Sequence, residues 1–203
     1  GIDTGNVKIA VYTLSTLLGL DMPGLLAVVA ALLSFVPFVG ILAGSLPIAL
    51  MALLAVTVLA GQLGLLSGKK PDGLGVKDGR LKPPSNTENS ASSQAGLYPD
   101  HPMRTYAEVA PLALNGDGPA TLARLSKLLQ GMPGVKIVLD AGDGYLYAQC
   151  TTPLMKFVDD LELWYDPGNQ VVQVRSASRV GRKDFGVNRQ RVEMLRAGLA
   201  KAD

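Results

Sequence analysis

The stretch Phe157-Val-Asp-Asp-Leu-Glu-Leu-Trp-Tyr-Asp-Pro-Gly-Asn-Gln-Val-Val-Gln-Val-Arg-Ser-Ala-Ser178 decides how the second half of the chain folds. Leu161, Leu163 and Tyr165 alternate with Asp160, Glu162 and Trp164, which is strand period, so residues 155–165 and 170–176 read as two strands. Asp166-Pro167-Gly168-Asn169 between them has the chemistry of a hairpin turn. Pairing Tyr165 with Gln170 sets Leu163 opposite Val172 and Leu161 opposite Val174 on one apolar face. On the other face the same register sets Asp160 against Arg175 and Glu162 against Gln173. Asp160–Arg175 is therefore the expected structural ion pair, a cross-strand contact contributing about 0.2–1 kcal/mol.

Working back from the hairpin, Val135–Leu139 and Tyr145–Thr151 read as two further strands. Asp117 or Gly118, followed by Pro119, opens a helix that carries Leu122, Leu125, Leu128 and Leu129 on one face and stops at Gly131. Forward of the hairpin, a last helix starts near Val187 and presents Val192, Leu195 and Leu199 at i, i+3 and i+7. Residues 98–203 thus make a small α+β domain, an antiparallel sheet with two helices. Residues 67–97, rich in Gly, Pro, Ser and Asn and without apolar period, read as an extended linker.

The first third of the chain obeys a different rule. Of 36 charged side chains only Asp3, Lys8 and Asp21 fall within residues 1–68, and the 47 residues between Asp21 and Lys69 carry none. A membrane span needs about 20 apolar residues, so residues 1–66 read as a membrane region with spans at about 24–40 and 47–66. The turn between them is Gly40-Ile-Leu-Ala-Gly-Ser-Leu-Pro47, and residues 7–20 form a shorter apolar stretch, an interfacial helix or a short re-entrant piece. The fold expected for the whole chain is α+β, an N-terminal transmembrane α-hairpin followed by the sheet domain. Lys69, Lys70, Lys77, Arg80 and Lys82 follow the last span closely. By the positive-inside bias the domain lies on the cytoplasmic side of a bacterial inner or intracytoplasmic membrane. No ionisable residue lies inside the spans, which argues against ion or proton conduction there.

Several segments together resemble one family. Gly75-Val-Lys-Asp-Gly-Arg-Leu81, Ser92-Ser-Gln-Ala95, Phe157-Val-Asp-Asp160, Val174-Arg-Ser-Ala-Ser-Arg-Val-Gly181 and Asp184-Phe-Gly-Val-Asn-Arg-Gln-Arg191 are similar to the DUF1499 family of uncharacterised bacterial and plastid domains. The resemblance spans about residues 70–200. It implies a small α+β domain, often behind a lipoprotein or transmembrane anchor, with no established activity; its exported members lie outside the cytoplasm. Many members carry Asn-Cys-Val-Ser-Ser where this chain has Asn89-Ser-Ala-Ser-Ser93, so thiol chemistry at that place is absent here.

Chemistry-bearing residues are few. Cys150 is the single cysteine, expected to be buried and structural, which excludes an internal disulfide or a thiolate metal cluster. His101 is the single histidine. Asp159 and Asp160 are strand neighbours and point to opposite faces, so they do not form an acid pair. No catalytic residue, metal or cofactor is expected, and the chain reads more as a non-enzyme than as an enzyme. Charge is segregated: residues 105–174 hold eight acidic and four basic side chains, while residues 175–203 hold eight basic and three acidic. The candidate anion- or partner-binding set is Arg175, Ser176, Ser178, Arg179, Asn188 and Arg189, whose guanidinium and hydroxyl donors suit carboxylate or phosphate. The leading expectation is a membrane-anchored accessory protein that docks its domain on a larger membrane complex. The alternative is a binding module, or an enzyme, for an anionic ligand or lipid headgroup. Expected partners are the lipid bilayer, that complex and anionic lipid; nucleic acid is excluded for want of aromatic stacking residues beside the charge.

Overall fold

A computed structural model describes residues 45–142 and 144–201. The segment 7–20 and the first expected span, 24–40, lie outside the described residues. Helix α1, Ser45–Gln62, occupies most of the second expected span. No helix among the described residues is long and apolar enough to cross a membrane. The helix stops four residues before the expected end because Gly64 takes φ +78° and caps it, its N–H donating to the Gly61 carbonyl at 2.8 Å and that of Leu65 to the Ala60 carbonyl at 3.0 Å. There the Gln62 amide donates to the carbonyls of Leu154 and Pro153, at 2.8 and 3.4 Å. Gly61 allows that approach: a Cβ there would lie 2.4 Å from the Met155 carbonyl oxygen.

The rest is one antiparallel sheet. Strands β1 (Ser90–Ser92), β2 (Leu112–Ala113), β3 (Val135–Asp140), β4 (Tyr145–Thr151), β5 (Val158–Asp166) and β6 (Val171–Ser178) are ordered β1-β6-β5-β4-β3, with β2 sharing the β6 edge below β1. A short helix α2 (Arg104–Ala107) joins β1 to β2. Helix α3 (Gly118–Gln130) begins as the sequence indicates, with Asp117 Oδ1 accepting the Ala120 N–H at 2.7 Å and Pro119 in the first turn. Helix α4 (Val187–Ala200) closes the chain. Both helices lie on the sheet face built from Leu146, Ala148, Cys150, Leu161, Leu163, Val172 and Val174, against which Leu122, Leu125, Leu129, Val192, Leu195 and Leu199 pack. Cys150 is buried in this layer, and burial pushes its thiol pKa up.

The hairpin faces agree with the alternation, but its register is displaced by two residues. Leu163 opposes Val174, Leu161 opposes Ser176 and Glu162 opposes Arg175. The cause is Asp166, whose Oδ1 accepts the N–H groups of Gly168 and Asn169 at 3.1 and 3.2 Å. This side-chain turn makes Asp166 the last strand residue and sets Pro167 at the first corner, so the four-residue loop is 167–170 instead of 166–169. Sliding such a loop by one residue moves the pairing by two and keeps every side chain on its face.

Residues 67–97, read as a linker, are extended but not a free tether. Strand β1 lies within them, and residues 70–84 form a strap across the sheet face opposite the helices. Leu81 is fully buried, its N–H donates to Gln94 Oε1 at 2.7 Å, and Gln94 Nε2 donates to the Gly79 carbonyl at 3.1 Å.

Candidate functional site

The strap covers a face of the sheet that alternation fills with polar side chains. Tyr145, Tyr147 and Gln149 come from β4, Asp160 and Glu162 from β5, and Gln173 and Arg175 from β6. Glu162 has no exposure; its Oε1 accepts the Gly75 N–H at 2.7 Å and the Tyr145 hydroxyl at 2.9 Å, and its Oε2 faces Arg175 Nη1 at 3.4 Å. Arg175 also donates through Nε to the Pro83 carbonyl at 3.1 Å. Burial lowers the Arg175 pKa despite the neighbouring Glu162. Burial, reinforced by the Glu162 charge, raises that of Tyr145 far above the usual phenol range.

Next to this pair, Arg179 grips Asp160 with two parallel bonds, Nε to Oδ2 at 2.9 Å and Nη2 to Oδ1 at 2.7 Å. The Tyr147 hydroxyl donates to the same Asp160 Oδ1 at 2.6 Å, while accepting from Arg179 Nη2 at 3.1 Å and Gln149 Nε2 at 3.0 Å. The hydrogen bond to Asp160 holds the Arg179 guanidinium above its ordinary value. The expected Asp160–Arg175 pair is thus corrected: Asp160 binds Arg179 and Arg175 binds Glu162, because the two-residue displacement carries Arg175 from Asp160 to Glu162.

The helix side of the sheet holds a second buried cluster. Arg191 Nη2 meets Asp159 Oδ2 at 2.7 Å, and its Nη1 donates to Ser176 Oγ and Asn188 Oδ1, each at 2.8 Å. The Ser176 hydroxyl donates to Asn188 Oδ1 at 2.6 Å, and Asn188 Nδ2 reaches Asp184 Oδ2, Ser178 Oγ and the Asn89 carbonyl at 2.8–3.1 Å. Asp184 in turn accepts the Tyr106 hydroxyl at 2.6 Å and the Gly186 N–H at 2.9 Å, fixing the start of α4. Burial alone would push the Asp184 carboxyl up, but the bonds from Tyr106, Gly186 and Asn188 outweigh it and hold the pKa below the usual range. Burial and the Asp184 contact push the Tyr106 phenol up to about 12.

A carboxylate with a depressed folded pKa adds stability above its unfolded value near about 4, and that stability is lost as pH falls through the folded value. Urea midpoints are therefore expected to fall on acidification from pH 5 to pH 2, and Asp184→Asn to flatten that fall. At pH 7 the same variant is expected to lose about 1–2 kcal/mol through weakened charge-assisted bonds. An unchanged acid slope in Asp184→Asn would contradict this assignment.

The six candidate binding residues do not form one site. Arg175, Ser178 and Arg179 line a groove of about 480 Å³ between the strap and β6, together with Lys69, Lys82 and His101. Arg189 lines a separate groove of about 520 Å³ beside Tyr106 and Asp184, and donates to the Tyr106 carbonyl at 2.6 Å. Ser176 and Asn188 have no exposure and serve Arg191. Sequence reasoning missed Lys69, Lys82 and His101 as groove residues, since nothing in a Gly/Pro-rich segment shows which face it will cover. It also missed Arg191, although Asn188 and Arg191 at i, i+3 share a helix face. Among the described residues no group of three or more His, Cys, Asp or Glu side chains is placed to hold a metal ion.

The family model described as "Protein of unknown function (DUF1499)" matches residues 80–199, more than half of the chain. The chain belongs to the DUF1499 family. The match begins just before Leu81 and ends at Leu199, so the strap's Leu81–Gln94 contact, both buried charge clusters and all of β1–β6 lie inside this DUF1499 region. No curated protein and no solved structure matches the chain.

Proposed function

We propose that this DUF1499 chain is a membrane-anchored accessory protein, its α+β domain held at the bilayer surface to dock on a larger membrane complex. The observation that carries the reading is the charge-free run from residue 22 to residue 68. In its described part, α1 leaves Leu50, Met51, Leu54 and Leu59 more than half exposed. Leaving such a side chain in water forgoes about 1.5–3 kcal/mol each, a cost that lipid or a partner helix removes. Small residues along the helix favour close packing with other helices. At the domain end, the Gln62 bonds to Leu154 and Pro153 couple the helix to the loop between β4 and β5. A domain joined this way keeps one orientation toward its anchor, which suits docking better than a search on a flexible tether.

The test is extraction of the full chain from native membranes. It is expected to resist alkaline carbonate, to need detergent, and to run on native gels well above 21 kDa with co-purifying membrane proteins. Release by carbonate alone, or a lone monomer in mild detergent, would refute the reading.

A further inference from the structure

We propose that the groove between the strap and β6 is a binding site for a phosphate group. Two walls supply its donors. From β6 and the residue after it come Arg175 and Arg179, whose side chains are only 4% and 7% exposed. From the chain that crosses over them come Lys69, Lys82 and His101.

What matters is which nitrogens remain unused. Arg175 commits Nε to the Pro83 carbonyl and Nη1, at a long 3.4 Å, to Glu162, while its Nη2 has no hydrogen-bond partner among the described residues. That nitrogen is not fully enclosed, and Arg175 lines the groove. Arg179 commits Nε and Nη2 to Asp160 and Tyr147, and its Nη1 likewise has no hydrogen-bond partner among the described residues. His101 Nδ1 accepts the Met103 N–H at 3.2 Å, which places the ring proton on Nε2 as a further donor. Lys82 spends one of its three donors on the Asp72 carbonyl at 2.6 Å. Asp160 also lines the groove, but both its oxygens are held by Arg179 and Tyr147. Lys69, Lys82, Arg175 and Arg179 against Asp160 and Glu162 leave the place with an excess of positive charge.

The arrangement is built, not incidental. Gly68 adopts φ +68°, and a Cβ there would meet Arg179 Cβ at 2.8 Å and Val180 Cγ2 at 2.7 Å. Only glycine lets the chain pass this close and set Lys69 at the groove mouth. Donors arriving from two opposed walls suit a tetrahedral oxyanion better than a planar carboxylate, and 480 Å³ leaves room for the group to which the phosphate is attached. The site does not rest on the membrane reading, since a free phosphate ester and a phospholipid headgroup offer the same chemistry.

The experiment uses the full chain in neutral detergent at constant ionic strength. Its melting temperature is followed with inorganic phosphate and glycerol phosphate in one arm, and with micelles doped with phosphatidylglycerol in the other. A rise in the first arm identifies a soluble phosphate compound; a rise in the second alone identifies a lipid headgroup. In either case Lys69→Glu/Lys82→Glu, which changes only groove-rim side chains, is expected to weaken binding about tenfold or more. The matched reversal Lys127→Glu/Lys136→Glu, on exposed positions away from the groove, is expected to leave binding unchanged. The proposal is overturned if neither arm stabilises the chain, if the groove variant binds as tightly as the parent, or if both reversals weaken binding equally.

Discussion

Arg191→Met is expected to lower the stability of the domain by about 3–5 kcal/mol, a large part of what a domain of this size possesses. Arg191 is the hub of the helix-side cluster: it neutralises Asp159, which is 4% exposed, and saturates Ser176 Oγ and Asn188 Oδ1. Methionine fills much of the volume but strands an ionised carboxylate under α4. The cost is that of an uncompensated buried charge, not the worth of one ion pair. The double variant Asp159→Leu/Arg191→Met removes both charges and is expected to recover most of the loss, because two paired charges in an apolar layer are close to neutral against hydrophobic replacements. Urea unfolding followed through Trp164, the single tryptophan, measures both. A double variant no more stable than Arg191→Met would show that Ser176 and Asn188, and not Asp159, depend on the arginine.

The same arginine marks the limit of what the sequence discloses. Elements with strong periods or caps are legible: α3 follows from Asp117, Pro119 and its leucine spacing, and the β5–β6 faces follow from alternation. Register is less so, because either four-residue loop keeps the apolar residues on one face. Only the bonds from Asp166 to the turn N–H groups separate the two, and with them the identity of each ion pair. The groove is least legible. Its floor could be named, since Arg175 lies within the strand read at 170–176 and Arg179 three residues past it. Its roof could not, because the strap is fastened by backbone groups of Gly75, Gly79 and Pro83, which have no side-chain signature, and by one buried leucine, which has no period.

Glu162→Leu tests that roof and is expected to cost about 3–5 kcal/mol, with a signature different from that of Arg191→Met. Glu162 is where strap, sheet and groove meet. Removing it frees the Gly75 N–H and the Tyr145 hydroxyl, and leaves the Arg175 guanidinium, whose pKa burial already lowers, without its counter-charge. Arg175 is then expected to swing toward solvent, and the strap over it to lift. Amide exchange is expected to accelerate first in residues 70–84, with β1 and α4 still protected; in Arg191→Met the order is reversed. Glu162→Gln separates charge from hydrogen bonding. Its amide oxygen still accepts from Gly75 or Tyr145, so the strap is expected to stay closed while Arg175 loses its counter-ion. A loss of about half that of Glu162→Leu would then be the share carried by charge. If the strap stays fully protected in Glu162→Leu, the contacts of Leu81, Gly79 and Pro83 with Gln94 and Arg175 suffice to fasten it, and the Gly75 bond reports closure without causing it.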